Sequence, residues 1–398
     1  MMAAMLKAKL PEIKNFKGLN NVSDPLRLGA GWLTQADNVD VTDTGALVKR
    51  TGHRRVLTGI SSSGYSTKDF AKAYFVDGSN IKTLTGRESA QVIKSGLTSA
   101  APMYWTEVND TAYFNNGTDA GIISRDNGVK DWRWQVLQSP TLAAVTGSLA
   151  GGLYRVCCTY AMPDGRETGA SDPAELTLVD GQALQISSIP LVAGCKTRVY
   201  IAPADSTVFS LAMETQSATA FVWNFDSDEL GIDLATDGMD PLPESADVIQ
   251  FWKGRMYAAQ YFPRDDMTAI WFSQPLGYHL FNLASDFFIV PGRVRMLAPT
   301  ESALIVGTNS RIYAYGDGLA VLAEYGVVPG MHWSQDDDQT IVFWSLRGLC
   351  RAMPFSNLTE KQVSVAPGVM AGGTIVRSGG QKRYLAVIQQ GGTAFNSL

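Results

Sequence analysis

The chain has 398 residues, a net charge of −5 and 45% hydrophobic residues, so it can bury a large core and is not globally disordered. Its Lys and Arg residues are scattered and in deficit, which argues against a protein that grips nucleic acid through a basic surface. The 38 glycines favour a turn-rich β protein over a helical one.

Residues 1–10 lack the apolar centre of a secretory signal, so we expect no leader there. No apolar run reaches the roughly 18 residues of a membrane span, so no span is predicted. Four cysteines and three histidines are present, without metal-ligand spacing. We therefore expect no metal and no cofactor.

An opening segment, residues 15–56, begins with a polar, turn-rich stretch. Gly29 and Gly31 disfavour a helix, so residues 15–33 are expected to form an extended arm anchored by Trp32. A hairpin follows, because Val39 and Val41 alternate with polar residues before a turn that ends at Gly45. We expect Gly45 and Gly52 to occupy turn positions with positive φ.

After this hairpin, short aromatic-rich strands alternate with Gly, Asn and Asp turns. The strand pairs or single strands are predicted at 70–76 and 81–84, 111–114, 251–252 and 255–259, 302–306 and 311–315, 340–344 and 349–353, and 382–388. Repeated antiparallel units of this size predict an all-β fold, a β-propeller of roughly six or seven blades.

One stretch interrupts the series. Short strands crowd residues 139–225, and the motif at 154–169 resembles a fibronectin type III module, so an inserted β-sandwich is predicted. The domain prediction is an N-terminal assembly arm at 1–34, first blades at 35–138, the inserted sandwich at 139–225, an acidic linker at 226–245 and the remaining blades at 246–398.

Three acidic groups are candidates for chemistry. Residues 124–132 resemble the Asp-box of sialidase-type propellers, which is a structural turn, and we favour that role here. The pair Asp265 and Asp266 and the loop 336–338 beside Trp333 stand in turn contexts, where solvated loops are the simpler interpretation. No nucleophile elbow, phosphate loop or dinucleotide fingerprint occurs, so an enzyme is not expected.

The opening segment resembles the N-terminal motif of the tail nozzle, or tail tubular protein B, family of short-tailed bacteriophages, which includes related stabilisation proteins. The matching groups are Phe16-x-Gly18-Leu19-Asn20, Asp24-Pro25-Leu26, Ala36-x-Asn38-Val39-Asp40, Thr44-Gly45-Ala46-Leu47 and Arg50-x-Gly52. Residues with an expected assembly or structural role are Phe16, Gly18, Asn20, Asp24, Pro25, Trp32, Asn38, Asp40, Gly45, Arg50 and Gly52.

The resemblance implies a propeller subunit of a cyclic homo-oligomer, usually six-fold, at the distal end of the tail. It implies contacts with tail-tube, adaptor and portal-complex proteins and with tail fibres. DNA would pass through the channel without tight binding. The implied location is the virion tail, after assembly in the host bacterial cytoplasm.

Two other functions stay open at this stage. A carbohydrate-binding receptor-recognition propeller would use Trp333 and the loop 336–338 as its contact. A propeller glycoside hydrolase would need a pair of carboxylates across a cleft. The first alternative predicts a monomer or trimer whose mobility shifts when polysaccharide is present. The second predicts enzymatic turnover that is lost when a cleft carboxylate is removed.

Overall fold

The computed structural model describes residues 15–50, 52, 54–55, 57–59, 61–336, 338–378 and 381–391. Within them the fold is all-β, as predicted, and its helices are two single 3-10 turns, Pro25–Arg27 and Ser227–Glu229. No helix in this described part is long and apolar enough to cross a membrane. The described chain forms two compact units, a first unit of residues 15–102 and 294–391 and a second unit of residues 103–293.

The N-terminal part of the first unit holds eight strands. They are β1 (Gly18–Leu19), β2 (Trp32–Leu33), β3 (Val39–Val41), β4 (Leu47–Lys49), β5 (Ser61–Ser66), β6 (Ala73–Asp77), β7 (Asn80–Leu84) and β8 (Ala90–Lys94). Strands β1 and β2 pair in parallel, β3 and β4 form the predicted hairpin, and β5 to β8 form an antiparallel meander.

The second unit begins with a meander and continues into a region of two sheets. The meander is β9 (Tyr104–Val108), β10 (Thr111–Asn115), β11 (Ala120–Ile123) and β12 (Val129–Asp131). The next strands are β13 (Thr141–Leu149), β14 (Gly152–Ala161), β15 (Ala174–Leu178), β16 (Gln182–Ser187), β17 (Lys196–Ala202), β18 (Ser210–Thr215) and β19 (Phe221–Trp223).

These seven strands, here called the two-sheet region, pair in the orders β13-β16-β19 and β15-β14-β17-β18. Ile186 and Trp223 of the first sheet share one buried cluster with Val156 and Ile201 of the second. The alternation of strand residues therefore places one apolar face of each sheet against the other.

The second unit ends in β20 (Ala246–Trp252), β21 (Arg255–Phe262), β22 (Met267–Gln274), β23 (Gly277–Phe281) and β24 (Phe287–Pro291), one five-stranded sheet. This sheet lies against the β9–β12 meander. Gln250 Nε2 donates to Thr106 Oγ1 at 3.0 Å, and Asn115 Nδ2 donates to the Ala246 carbonyl at 2.6 Å. Two sheets that are far apart in sequence are thus neighbours, with the two-sheet region inserted between them in the chain.

The C-terminal part of the first unit contains two more meanders and a hairpin. The strands are β25 (Val294–Pro299), β26 (Leu304–Thr308), β27 (Ile312–Tyr315), β28 (Leu319–Ala323), β29 (Trp333–Gln335), β30 (Ile341–Ser345), β31 (Gly348–Ala352), β32 (Ser356–Asn357), β33 (Met370–Ser378) and β34 (Gln381–Gln389). Fully buried Ile305, Ile312 and Phe343 join the two meanders in one core.

Four antiparallel meanders of four strands each follow simple up-and-down order, which is the topology of propeller blades. The strands predicted from alternating residues and Gly, Asn or Asp turns are present at each predicted position. The predicted domain boundaries, the closure of a propeller and a fibronectin type III fold stay predictions.

Candidate functional site

The opening segment folds back on its own chain through backbone hydrogen bonds. The Phe16 N–H donates to the Gly45 carbonyl at 2.7 Å, and the Asn20 N–H donates to the Leu33 carbonyl at 2.7 Å. Residues 15–33, which we predicted to form an extended arm anchored by Trp32, are thus hydrogen-bonded to their own chain. Their backbone donors find acceptors in the following hairpin and in β2.

Gly45 is required at the centre of this arrangement. Its φ is +76°, and a Cβ at this position would lie 2.6 Å from Asn15 Cα. Both the turn and the close approach of the two backbones exclude a side chain. The prediction for Gly52 was wrong, because its φ lies outside the positive range and an added Cβ would meet nothing. Asn38 instead takes the left-handed conformation, with φ of 55°.

Asn20 and Asp24 build a tight loop between β1 and β2. Asn20 is buried, and its Oδ1 accepts the N–H groups of Val22 at 3.2 Å and Ser23 at 3.0 Å. Asp24 Oδ1 accepts the Leu26 N–H at 3.0 Å and caps the 3-10 turn that Pro25 begins. These bonds fix a loop on which the Leu26 side chain is 94% exposed.

Asn21 attaches this loop to the far end of the chain. Its Nδ2 donates to the Ser364 carbonyl at 2.9 Å, its Oδ1 accepts the Ser364 N–H at 2.7 Å, and its own N–H donates to the Gln362 carbonyl at 3.0 Å. We call these three bonds the Asn21 clasp. Arg383 Nη1 also reaches Asp40 Oδ2 at 2.7 Å, so the hairpin and β34 are joined as well.

Sequence reasoning missed the Asn21 clasp. Asn21 and Ser364 are separated by 343 positions, and neither belongs to a recognisable pattern. The structure gives the other predicted residues local roles. Gly18 leaves room for the Trp32 ring at 3.8 Å, and the Arg50 N–H closes the hairpin on the Asn38 carbonyl at 2.8 Å.

The Asp-box-like stretch is a structural turn, as predicted. It joins β11 to β12, with the Ser124 N–H donating to the Gly128 carbonyl at 2.9 Å and Asp126 Oδ1 accepting the Gly128 N–H at 3.2 Å. Trp132 is fully buried and donates its indole N–H to the Tyr278 carbonyl at 2.9 Å. The aspartate therefore helps to hold this hairpin turn together.

The loop after Trp333 makes contacts within the first unit. Asp336 is 11% exposed and forms ion pairs with Lys382 and, at 3.6 Å, with Arg377. Trp333 packs against the core that β25 to β31 share. Asp337 lies outside the described residues. Ion pairing and core packing therefore engage Asp336 and Trp333, two of the residues named for a carbohydrate contact, whereas Asp338 is exposed.

The histidines do not form a catalytic group among the described residues. His279 Nε2 is 2.8 Å from the Glu167 carbonyl, and burial lowers its pKa. His332 is fully buried, and burial lowers its pKa to about 4. His53 lies outside the described part of the chain, within which no cluster of three or more His, Cys, Asp or Glu could hold a metal.

A cavity of about 450 Å³ lies within the first unit. Phe75 of β6, Met370 of β33 and Val387 of β34 line it together with Met331 and residues 61–64 of β5. Its lining includes no titratable side chain among the described residues, so no general acid or base faces it there.

No protein-family model matches the chain, and no curated protein matches it. Similar solved structures include the extracellular domain of a hybrid two-component system from B. thetaiotaomicron, at 8% identity and a TM-score of 0.31 over 79% of this chain and 35% of that one. Dipeptidyl peptidase 4 from Porphyromonas gingivalis is similar at 8% identity and a TM-score of 0.27, over 86% of this chain and 47% of that one. Apo AztD from Citrobacter koseri is similar at 12% identity and a TM-score of 0.28, over 86% and 91%. The chain thus spans less than half of the first two structures, and TM-scores this low assign neither family nor function.

Proposed function

We propose that the protein is a structural subunit of the distal tail of a short-tailed bacteriophage, the tail nozzle or tail-tube tip or a smaller relative of it. In this proposal the meanders are blades of a closed propeller, and the two-sheet region is a fibronectin type III-like module. Copies assemble in the host cytoplasm as a ring, six-fold in symmetry by family resemblance, through which DNA leaves the virion.

The observation that carries the proposal is the opening segment. Its residues build a compact loop and hairpin, tied to the C-terminal part of the chain by the Asn21 clasp and the Arg383–Asp40 pair. Such a segment supports a mechanical role, because it fixes the loop before β2 to residues 362–364 and the hairpin to β34.

The charge supports passage of DNA without retention. The net charge is −5, and a phosphate backbone gains affinity mainly through Lys and Arg contacts that release counterions. An acidic channel wall repels the polyanion and lets it slide. The subunit is not an enzyme in this proposal, and it needs neither a metal nor a cofactor.

The proposal can be tested on purified virions of the phage that encodes the chain. We expect peptides of the chain in the virion and gold-labelled antibodies against it at the tail tip. Absence from virions, or label on the capsid alone, would contradict the proposed location. Binding of polysaccharide by the isolated protein without any place in the virion would favour the receptor-recognition alternative.

A further inference from the structure

Several loops meet at one end of the two-sheet region. They are the turn from β15 to β16, the loop from β17 to β18 and the segment 224–234 after β19. Hydrogen bonds connect each of them to neighbouring strands or turns. The β15–β16 turn accepts the Gly151 N–H on Asp180 Oδ1 at 2.7 Å, and the β17–β18 loop donates the Asp205 N–H to the Leu153 carbonyl at 2.9 Å. The segment after β19 accepts the Ser148 N–H on Asn224 Oδ1 at 2.8 Å and the Leu211 N–H on the Ile232 carbonyl at 2.9 Å.

This end exposes large apolar side chains on each of those loops. Val179 is 64% exposed, Val208 53%, Phe225 56% and Ile232 66%. A single exposed apolar residue is ordinary in a soluble protein. Four of them on adjoining loops form a patch of the kind that marks a protein interaction surface.

Carboxylates surround this patch. The exposed acidic residues of the same loops are Asp180, Asp205, Asp226, Asp228, Glu229 and Asp233. The loops contain no Lys, Arg or His. A partner must therefore offer apolar side chains flanked by positive charge, and a neutral or acidic surface would leave the carboxylates unpaired on contact. We call this end the acidic-apolar patch.

The same chain carries a surface with the complementary properties. Strand β4, in a sheet of two strands, exposes all three of its residues, and Leu47 and Val48 are 38% and 42% exposed. Lys49 is the third residue of β4, and Arg50, which follows it, is exposed too. Because side chains alternate between the two faces of a strand, Leu47 and Lys49 lie on one face of β4 and Val48 and Arg50 on the other. Each face therefore offers one apolar and one basic group, which is the combination that the acidic-apolar patch requires.

We propose that the acidic-apolar patch of one copy docks on strand β4 and Arg50 of a second copy. This inference rests on the proposed ring and names the surfaces that build it. The two surfaces differ, so each copy donates one and accepts the other. A contact of this head-to-tail kind generates a ring when its rotation closes.

Charge reversal with rescue tests this pairing. Asp226→Lys with Asp228→Lys should weaken assembly at least tenfold, and so should Lys49→Glu with Arg50→Glu. The four changes together should restore assembly, because each charge again faces its opposite. Assembly is measured by analytical ultracentrifugation over a range of protein concentrations, and circular dichroism confirms that each variant is folded.

The matched control is Asp265→Lys with Asp317→Lys, which makes the same change in net charge at exposed turns elsewhere. We expect this control to assemble like the wild type. Rings that form equally well in every variant would overturn the docking inference and leave the proposed ring intact. A combined variant that assembles no better than either pair would overturn it too, whereas a wild type that is monomeric at all concentrations would overturn the ring itself.

Discussion

The opening segment and the two-sheet region are stabilised in different ways. Between residues 15 and 50 only Asn20 and Gly31 are buried, and the segment is held by backbone bonds, caps and the Asn21 clasp. The two-sheet region buries a continuous cluster that includes Ile186, Ile201 and Trp223. The opening segment can detach from the rest of the first unit when a few hydrogen bonds are lost, whereas the two-sheet region unfolds only when its core is exposed.

The largest expected effect is in the core of the two-sheet region. Ile201→Ala removes a fully buried side chain and should lower the free energy of unfolding of the second unit by about 2–5 kcal/mol. Denaturant unfolding followed by tryptophan fluorescence measures this loss. Val222→Ala, at a side chain that is 45% exposed, is the control and should stay within about 0.5 kcal/mol of wild type. Equal losses of unfolding free energy in the two variants would contradict the claim that a buried core stabilises the two-sheet region.

Acid should act on the first unit through His332. Its pKa is about 4 in the folded chain, below the ordinary value, because burial disfavours the charged ring. Between these pH values His332 is protonated in the unfolded chain but neutral in the folded chain. The free energy of unfolding therefore falls as the pH drops from about 6.5 to about 4. The expected loss is about 3 kcal/mol. His332→Leu should flatten the slope of unfolding free energy against pH over this range, and an unchanged slope would refute this assignment.

In the opening segment, Gly45→Ala should have a smaller and local effect. The new Cβ meets Asn15 Cα at a residue whose φ is +76°, so we expect a cost of about 1–3 kcal/mol. Hydrogen exchange should rise at Phe16 and Asn20 and stay unchanged in β14 and β17. Gly52→Ala, where an added Cβ meets nothing, should leave exchange as it is. Equal sensitivity at both glycines would contradict the close backbone approach at Gly45.

The smallest effect should come from Asn21→Ala. The side chain makes two of the three clasp bonds at an exposed site, so their loss should cost about 1 kcal/mol. Limited proteolysis should then cleave residues 21–28 faster than in the wild type. Val22→Ala changes a neighbouring exposed side chain and should leave the cleavage rate unchanged. Equal rates in both variants would mean that the Asn21 clasp does not hold the loop.

The parts of this fold that sequence predicts are those that local rules determine. The hairpin at Gly45 and the turn at Gly128 follow from alternating residues and from turn chemistry within a few positions. Gly52 shows the limit of such rules, because a glycine after a strand does not by itself require positive φ. The Asn21 clasp could not be predicted from sequence, because its two sides are 343 residues apart. Both sides are polar backbone or amide groups without a sequence pattern.

The proposed assembly, like the Asn21 clasp, depends on residues that are far apart in the sequence. The acidic-apolar patch gathers residues from 179 to 233, which no single stretch of sequence brings together. Its partner surface on β4 lies within the motif that resembles the phage family, so the resemblance and the charge pattern meet on one strand. A ring built from these two surfaces would weaken as salt screens its charges.

The central claim, that the chain is a ring subunit, is tested most directly by the mass and shape of the purified full-length protein. Native mass spectrometry combined with negative-stain images should give a single cyclic oligomer of six copies with a central hole. A monomer at every concentration and salt, with no ring in the images, would contradict the account.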